Sequence, residues 1–401
     1  MSTPRDDGAR RIGENVRAAR RFRGLSIEAA AGLVGRSKSW LSKIENGHLR
    51  LDRRADIAAL AEALEVSAAD LLGEPAPAIR PHRRVFGDVV ALREVLLDST
   101  LDDPADVPAR PLDALAALAG GQIARHRRAA DHAALTTVLP GVLAELQVHA
   151  AAGDEQQRAR ALRLLVDLLT GATFTLRHLG QPDLAWIAAD RAMQAARALD
   201  DPVMIGAATF ARAHCRPSAS LSRALRGVAA AADRLEPHLS AGDRYGFEVL
   251  GMLRLSAGLD AQIRGDHTAA ADHVAAAAEI AGRFGDRPDA FQWFGPANVA
   301  TWRTMLAVEA GDPEKALQAA AGVDPARITS RGRRAALAIE QARARAMLGD
   351  GDGAVRDLRR AEKLDAARVH KNALVRELVA DLFDRAPSRD LRGLAWRMNL
   401  I

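Results

Sequence analysis

Two groups of side chains in this 401-residue chain have the means to bind something. The first lies in SKSWLSKIEN, residues 37–46, where Lys38, Ser39, Ser42 and Lys43 alternate with apolar Leu41 and Ile44. Ammonium groups can donate to guanine O6 and N7, and hydroxyls bond bases or phosphates, so this set suits contact with nucleic acid. Lysine is scarce, five against fifty-one arginines, and two of the five stand here. The second group is FQWFGPANVATWR, residues 291–303, which holds four of the fifteen aromatic residues and one of the five asparagines. An amide that donates and accepts at once, flanked by indole rings, suits a peptide or a small polar ligand.

Catalytic and metal-binding patterns are lacking. There is no Gly-rich phosphate loop, nucleophile elbow or HExxH. GDGDGA, residues 349–354, resembles a calcium loop only briefly, since the twelfth position from Asp350 is Ala361 rather than a bidentate glutamate. His214 and Cys215 have no second pair at ligand spacing, and a single cysteine rules out a disulfide within the chain. The sequence predicts a protein that is not an enzyme and uses no cofactor and no metal.

Stepping outward from Lys38 and Lys43, the flanking residues break into short helices. Ile12, Val16, Ala19 and Phe22 recur near 3.6-residue spacing before Gly24. Ser26 can cap a helix over IEAAAGLV with Glu28 in its first turn, and Gly35 ends it. Ser37 can cap the next, which closes at Gly47. Two further helices follow in DRRADIAALAEALEV and SAADLL, making a five-helix unit. With Leu41 and Ile44 inward, Lys38, Ser39, Ser42 and Lys43 turn outward.

LSIEAAAGLVGRSKSWLSKIENG, followed by LAEALEVSAADLL, resembles the XRE (Cro/CI-type) helix-turn-helix family. The matching positions are Leu25, Ser26, Glu28, Ala31, Gly35, Ser37, Ser39, Leu41, Ser42, Ile44, Glu45 and Gly47. Two positions depart from the family: Ile27 stands where Gln is common, and Arg36 where an apolar residue is usual. The resemblance implies a DNA-binding domain over residues 8–73 whose SKSWLSKIEN helix enters the major groove of a double-stranded operator. Lys38, Ser39, Ser42 and Lys43 would then read bases or phosphates, with Ser37 and Arg36 at the phosphate edge. Trp40 has two readings, packing on the preceding helix or contact with the sugar-phosphate edge. Arg17, Arg20, Arg21 and Arg23 are expected to touch the DNA backbone, which positions without reading sequence. Charge agrees: from Arg10 to Arg50 there are ten Lys and Arg against three Asp and Glu, whereas after Gly73 the balance is 43 against 41.

The rest is expected to be all-α. GEPAPAIRPHRR carries three prolines and reads as a linker. With one amphipathic helix over residues 85–97 and the proline-spaced DDPADVPARP, it makes a connecting segment of residues 74–110. Residues 111–401 show only helical patterning, and a repeat sets the architecture. Gly-x4-Ala-x6-Ala occurs at Gly180–Ala185–Ala192, Gly265–Ala270–Ala277 and Gly349–Ala354–Ala361, with Gly311–Ala316–Val323 as a variant copy. This resembles a degenerate tetratricopeptide (TPR) repeat, so the body is expected to be a TPR-like α-solenoid. Pro296 suits the first turn of a helix reaching to about Glu309, which would place Asn298, Thr301, Trp302 and Met305 on one face, with Trp293 and Phe294 just before. These six are the expected ligand-binding residues; the competing reading puts the aromatics in the core and makes Asn298 a cap.

Head and body together resemble RRNPP-type regulators, whose TPR domain binds a signalling peptide, and the XRE–TPR regulators of actinomycetes. The resemblance implies a homodimeric transcription regulator, with dimer contacts from the solenoid or the helix at residues 85–97. Its effector would be a peptide or small molecule. A scaffold that recruits a protein partner to DNA is the alternative. No apolar run approaches the ~20 residues of a bilayer span, and no signal segment is visible, so a cytoplasmic protein with no membrane contact is expected.

Overall fold

The computed structural model describes residues 7–66, 68–72, 89–215, 225–385 and 388–401. Its head consists of α1 (Asp7–Phe22), α2 (Ile27–Leu33), α3 (Lys38–Glu45), α4 (Arg54–Leu64) and α5 (Ala68–Leu72). Local chemistry sets these boundaries. Ser26 Oγ accepts from Ala29 N at 3.0 Å and Ser37 Oγ from Trp40 N at 3.1 Å, so each serine satisfies an orphan donor of the helix it starts. Val16, Leu41, Ile57, Leu60, Leu64 and Leu71 form a shared core. At Gly13 an added Cβ would lie 2.4 Å from Ile44 O, which is how α1 crosses so closely over the end of α3. Phe22 departs from the sequence expectation. It continues the spacing of Ile12 and Val16 but is 92% exposed, because α1 runs one turn beyond the helices it covers.

The body is helical throughout its described residues, with no strand. Its helices are α6 (Val90–Asp98), α7 (Leu112–Leu118), α8 (Ala124–Ala129), α9 (His132–Ala152), α10 (Glu155–His178), α11 (Pro182–Leu199) and α12 (Pro202–Cys215). They continue as α13 (Val228–Leu235), α14 (Arg244–Ile263), α15 (His267–Phe284), α16 (Pro296–Ala310) and α17 (Pro313–Ala321). The last are α18 (Arg331–Met347), α19 (Gly351–Leu364), α20 (Ala366–His370), α21 (Ala373–Arg385) and α22 (Arg389–Arg397).

The repeat spacing corresponds to helical hairpins. α10/α11, α14/α15, α16/α17 and α18/α19 are antiparallel pairs. They turn at Gly180, Gly265, Gly311 and Gly349, whose φ values of +74°, +80°, +80° and +81° lie in the left-handed region that favours glycine. Ala185, Ala192, Ala277, Ala316, Ala354 and Ala361 are fully buried. A small side chain there lets the second helix approach the first. Successive hairpins make a solenoid-like body.

The linker expected at residues 73–84 lies outside the described residues, as do residues 85–88 of the amphipathic segment. The described part of that segment, α6, lies against α9 and α11 with Leu92 and Leu96 buried in the body core. Val90 and Leu97 of the same helix are exposed.

The head docks on the body through charge. Arg50 Nε meets Asp381 Oδ1 at 2.6 Å, and its Nη1 meets Glu377 Oε1 at 3.1 Å. Arg54 N donates to Glu309 Oε2 at 3.0 Å. Arg343 Nη2 donates to Asp52 O at 3.2 Å, while its Nη1 pairs with Glu309 at 2.9 Å and Glu340 at 2.7 Å. Ala373 and Leu374 of α21 add apolar contact to the head core.

Candidate functional site

The outer face of α3 is built as its pattern requires. Leu41 and Ile44 are buried, leaving Lys38, Ser39 and Lys43 exposed and Ser42 half-exposed. Lys38 Nζ lies 3.6 Å from Glu28 Oε2, with both side chains largely in water, so little holds that ammonium back from a phosphate. Ser37 is occupied by its capping bond. Ser42 Oγ accepts from Asn46 Nδ2 at 3.3 Å.

The arginines expected at the DNA backbone divide differently. Arg20 is buried: its Nε and Nη2 donate to Glu45 Oε1 and Oε2 at 2.5 and 2.9 Å, and its Nη1 to Leu25 O at 2.8 Å. That bidentate grip fastens α1 to the end of α3 and takes Arg20 away from phosphate. Arg17 is half-engaged in the same joint, donating to Glu45 O at 3.0 Å and Asn46 Oδ1 at 2.5 Å. Arg23 is paired with Glu65, whereas Arg21 is exposed. Arg36 donates to Asp56 at 2.6 Å and stacks over Trp40 at 5.4 Å, and Trp40 is half-buried against the head core, as the packing reading has it.

The second site is a cavity of about 180 Å³ in the body, to whose wall the head contributes Arg54. Four of the six expected residues line it: Trp293, Thr301, Trp302 and Met305. Phe294 does not. It is packed in the core against Gly251, where an added Cβ would lie 2.1 Å from the ring. Asn298 is buried and does not line this cavity; it lines a second, much smaller one that shares Trp293 and Arg333, and its Nδ2 donates to Gln292 O at 3.2 Å. The reason is a turn that the helical spacing could not foretell. Gln292 and Trp293 both adopt left-handed backbone, φ +49° and +58°, which is uncommon outside glycine. Asn298 braces this turn, Trp293 N donates to Ala290 O at 2.8 Å, and Glu248 Oε2 accepts from Phe291 N at 2.8 Å. From this turn Trp293 reaches the cavity wall.

Other helices supply what the sequence reading missed. Arg127 of α8, Arg177 and His178 of α10, Arg333 of α18 and Arg368 of α20 line the same space. Arg54 joins them from head helix α4. Trp293 lies between two of these guanidinium groups, Arg127 at 5.8 Å and Arg333 at 6.0 Å. Phe174, Phe210, His214 and Trp302 form an aromatic wall, with Phe210 and His214 at 4.6 Å and His214 and Trp302 at 5.7 Å. Nothing local marks these arginines among fifty-one.

The electrostatics are lopsided. Burial and the neighbouring Arg368 and Arg54 pull Arg177 down to about 10, and burial with Arg368 and Arg177 pulls Arg333 down to about 9. Arg177 is nonetheless exposed, so water screens its charge in part, and it also lines the cavity. Burial, followed by Arg368, His132 and Arg177, holds His178 well below the ordinary histidine value. His132, His178 and Asp365 bring three ligand atoms within 4.8 Å of one another. Asp365 Oδ1 already meets His132 Nε2 at 3.1 Å, and the surrounding guanidinium groups oppose a cation there.

Comparison with known proteins bears on the first site. Residues 11–72 match the family described as a helix-turn-helix domain. This is the segment that places Lys38, Ser39 and Lys43 on its surface. No curated protein matches the chain. No helix among the described residues is long and apolar enough to cross a membrane.

Proposed function

We propose that this helix-turn-helix protein is a sequence-specific transcriptional regulator that acts by binding rather than by catalysis. Its body responds to a ligand in the cavity, and two copies present their heads to the half-sites of one operator. The observation that carries the DNA-binding reading is the exposed, cationic outer face of α3 inside a matched helix-turn-helix segment. In such domains the second helix of the motif lies in the major groove with its N-terminal end toward the bases. Lys38, Ser39, Ser42 and Lys43 are its readers, and Arg21, Arg36 and Arg17 flank them. Half-sites one helical turn apart, ~34 Å, require two heads held at that separation.

What supports ligand sensing is the physical link between cavity and head. Arg54 belongs to α4 and also lines the cavity, so an occupant touches the DNA-binding domain directly. A ligand alters operator affinity only through unequal affinity for two arrangements, a coupling of ~1–3 kcal/mol in typical cases.

Selection of the full chain against random duplexes tests the reading. Enrichment of a two-fold symmetric sequence, with footprints one turn apart and 2:1 stoichiometry, is the expected result. Absence of any enriched sequence would end the regulator reading, and a single half-site bound by one copy would end the dimer reading.

A further inference from the structure

The cavity wall carries five arginines against two carboxylates; Arg54 pairs with Glu309 and Glu340, Arg127 with Asp167 and Arg368 with Asp365, which leaves Arg177 and Arg333 without a carboxylate partner among the described residues. Glu340 binds Arg343 at 2.7 Å, and Asp365 binds His132 at 3.1 Å. Among the described residues, Arg177 has no side-chain hydrogen bond or ion pair. Arg333 leaves its buried Nε without a partner, and so does Gln292 its Nε2. Arg368 Nε and Asp365 Oδ2 on the same wall also lack a hydrogen bond, but they face each other as an ion pair at 3.5 Å. Arg177 is exposed and Arg333 half-buried, so both offer charge at the cavity wall, and the left-handed turn at Gln292 and Trp293 adds backbone strain at the same spot. Strain and unpaired donors gathered at one cavity mark a site that an occupant can complete, and two guanidinium groups without a carboxylate partner favour an acceptor with negative charge.

Size and shape narrow it further. A cavity of ~150 Å³ holds benzene, so about 180 Å³ is room for a ligand of roughly ten non-hydrogen atoms. The Trp293 and Trp302 indoles and the Phe210 ring offer flat apolar walls. We propose that the cavity binds a small planar organic anion, a carboxylate or a phosphate monoester. Its charge sits among Arg177, Arg333 and Arg368, and its ring lies against Trp293. Arg54 closes over it, so that occupancy stabilises the docked head; this last clause rests on the regulator reading above.

The test uses the full chain, with titration calorimetry and tryptophan fluorescence. The probes are benzoate, phenyl phosphate, inorganic phosphate and neutral benzyl alcohol. Saturable binding of benzoate or phenyl phosphate is expected, with whichever binds tighter naming the acidic group, and with benzyl alcohol at least ~10-fold weaker. Arg177→Gln and Arg333→Gln should each weaken that binding ~10-fold or more. The ligand-free melting temperature should be unchanged or higher, since each substitution relieves repulsion among like charges. No saturable binding by either aromatic anion, or equal binding of benzyl alcohol, overturns the proposal without recourse to any variant. Inorganic phosphate matching phenyl phosphate removes the planar part of it. The coupling is read separately on the selected duplex, where the bound anion should change affinity ~5-fold or more. Anion binding with no such change refutes the coupling alone, whereas failure to select any duplex refutes the regulator reading and leaves the anion site standing.

Discussion

The backbone N–H of Arg54 donates to Glu309 Oε2 at 3.0 Å across 255 positions of sequence. One buried carboxylate therefore receives both the start of head helix α4 and, at 2.9 Å, the guanidinium of Arg343. Burial would raise Glu309, but Arg343 and Arg54 outweigh it and hold the group below its ordinary value, ionised.

Glu309→Gln leaves Arg343 with Glu340 as its only carboxylate partner and weakens the cap on α4. Losing one member of a buried pair typically costs ~3–5 kcal/mol, and the remaining Glu340 contact places this substitution near ~3. Urea unfolding of the two proteins measures the loss. In native-state hydrogen exchange, faster exchange at α4 amides should accompany it; an unchanged midpoint would mean the head is held by its other contacts alone.

Lys43→Ala and Lys38→Ala separate reading from positioning. A lysine on phosphate lowers affinity for all duplexes alike and reduces the salt slope by ~1, whereas one on a guanine costs ~1–3 kcal/mol for the selected sequence only. Arg20→Ala should behave unlike either. It removes the bidentate partner of buried Glu45, leaving only Arg17 at 3.4 Å, and destabilises the head by ~2–4 kcal/mol before any effect on DNA is interpretable. Binding isotherms at several salt concentrations, beside thermal melts, distinguish the three; an Arg20→Ala protein of normal stability and weakened DNA binding would restore Arg20 to the interface.

Asn298→Ala removes the brace on Gln292 O without touching the cavity wall. A loss of ~1–2 kcal/mol is expected from the missing buried hydrogen bond, together with altered Trp293 fluorescence as the left-handed turn relaxes. Anion affinity falls indirectly, and Asn298→Asp does not rescue it, because a carboxylate cannot donate to the carbonyl. Normal stability with complete loss of binding would instead make Asn298 a direct contact.

His214 predicts the acid side of the stability curve. Burial first, then Arg177, Arg333 and Arg54, pull it from 6.5 to about 3. Between those values the unfolded chain takes up a proton that the folded chain refuses, so stability is full above pH 6.5 and declines as pH falls towards 3. The slope is at most ~1.4 kcal/mol per pH unit for this group. His178 acts in the same direction. His214→Gln should flatten the decline in melting temperature over that window; an unchanged slope would show that His214 accepts its proton in the folded state.

Much of this was legible from local spacing. Leu41 and Ile44, three residues apart on a short helix, determine which side of α3 is dry, and Lys38, Ser39 and Lys43 follow on the other side. The four repeat glycines and their alanines likewise announce helical hairpins, because a left-handed turn and a close helix contact each demand a particular small residue. Trp293 and Trp302 could be singled out because aromatics are rare in the chain. Arg20 shows the limit: its residue type and position suit a phosphate contact, yet the approach of α1 to Glu45 consumes it. Asn298 was placed by helical periodicity, and two left-handed residues before the helix redirected its amide. The arginines are a different matter. Arg54, Arg127, Arg177, Arg333 and Arg368 come from five helices, and each alone looks like one more surface charge. Unneutralised charge is a property of what surrounds a group in space. Only the winding of the body, with the head contributing Arg54, decided that these five would face one cavity.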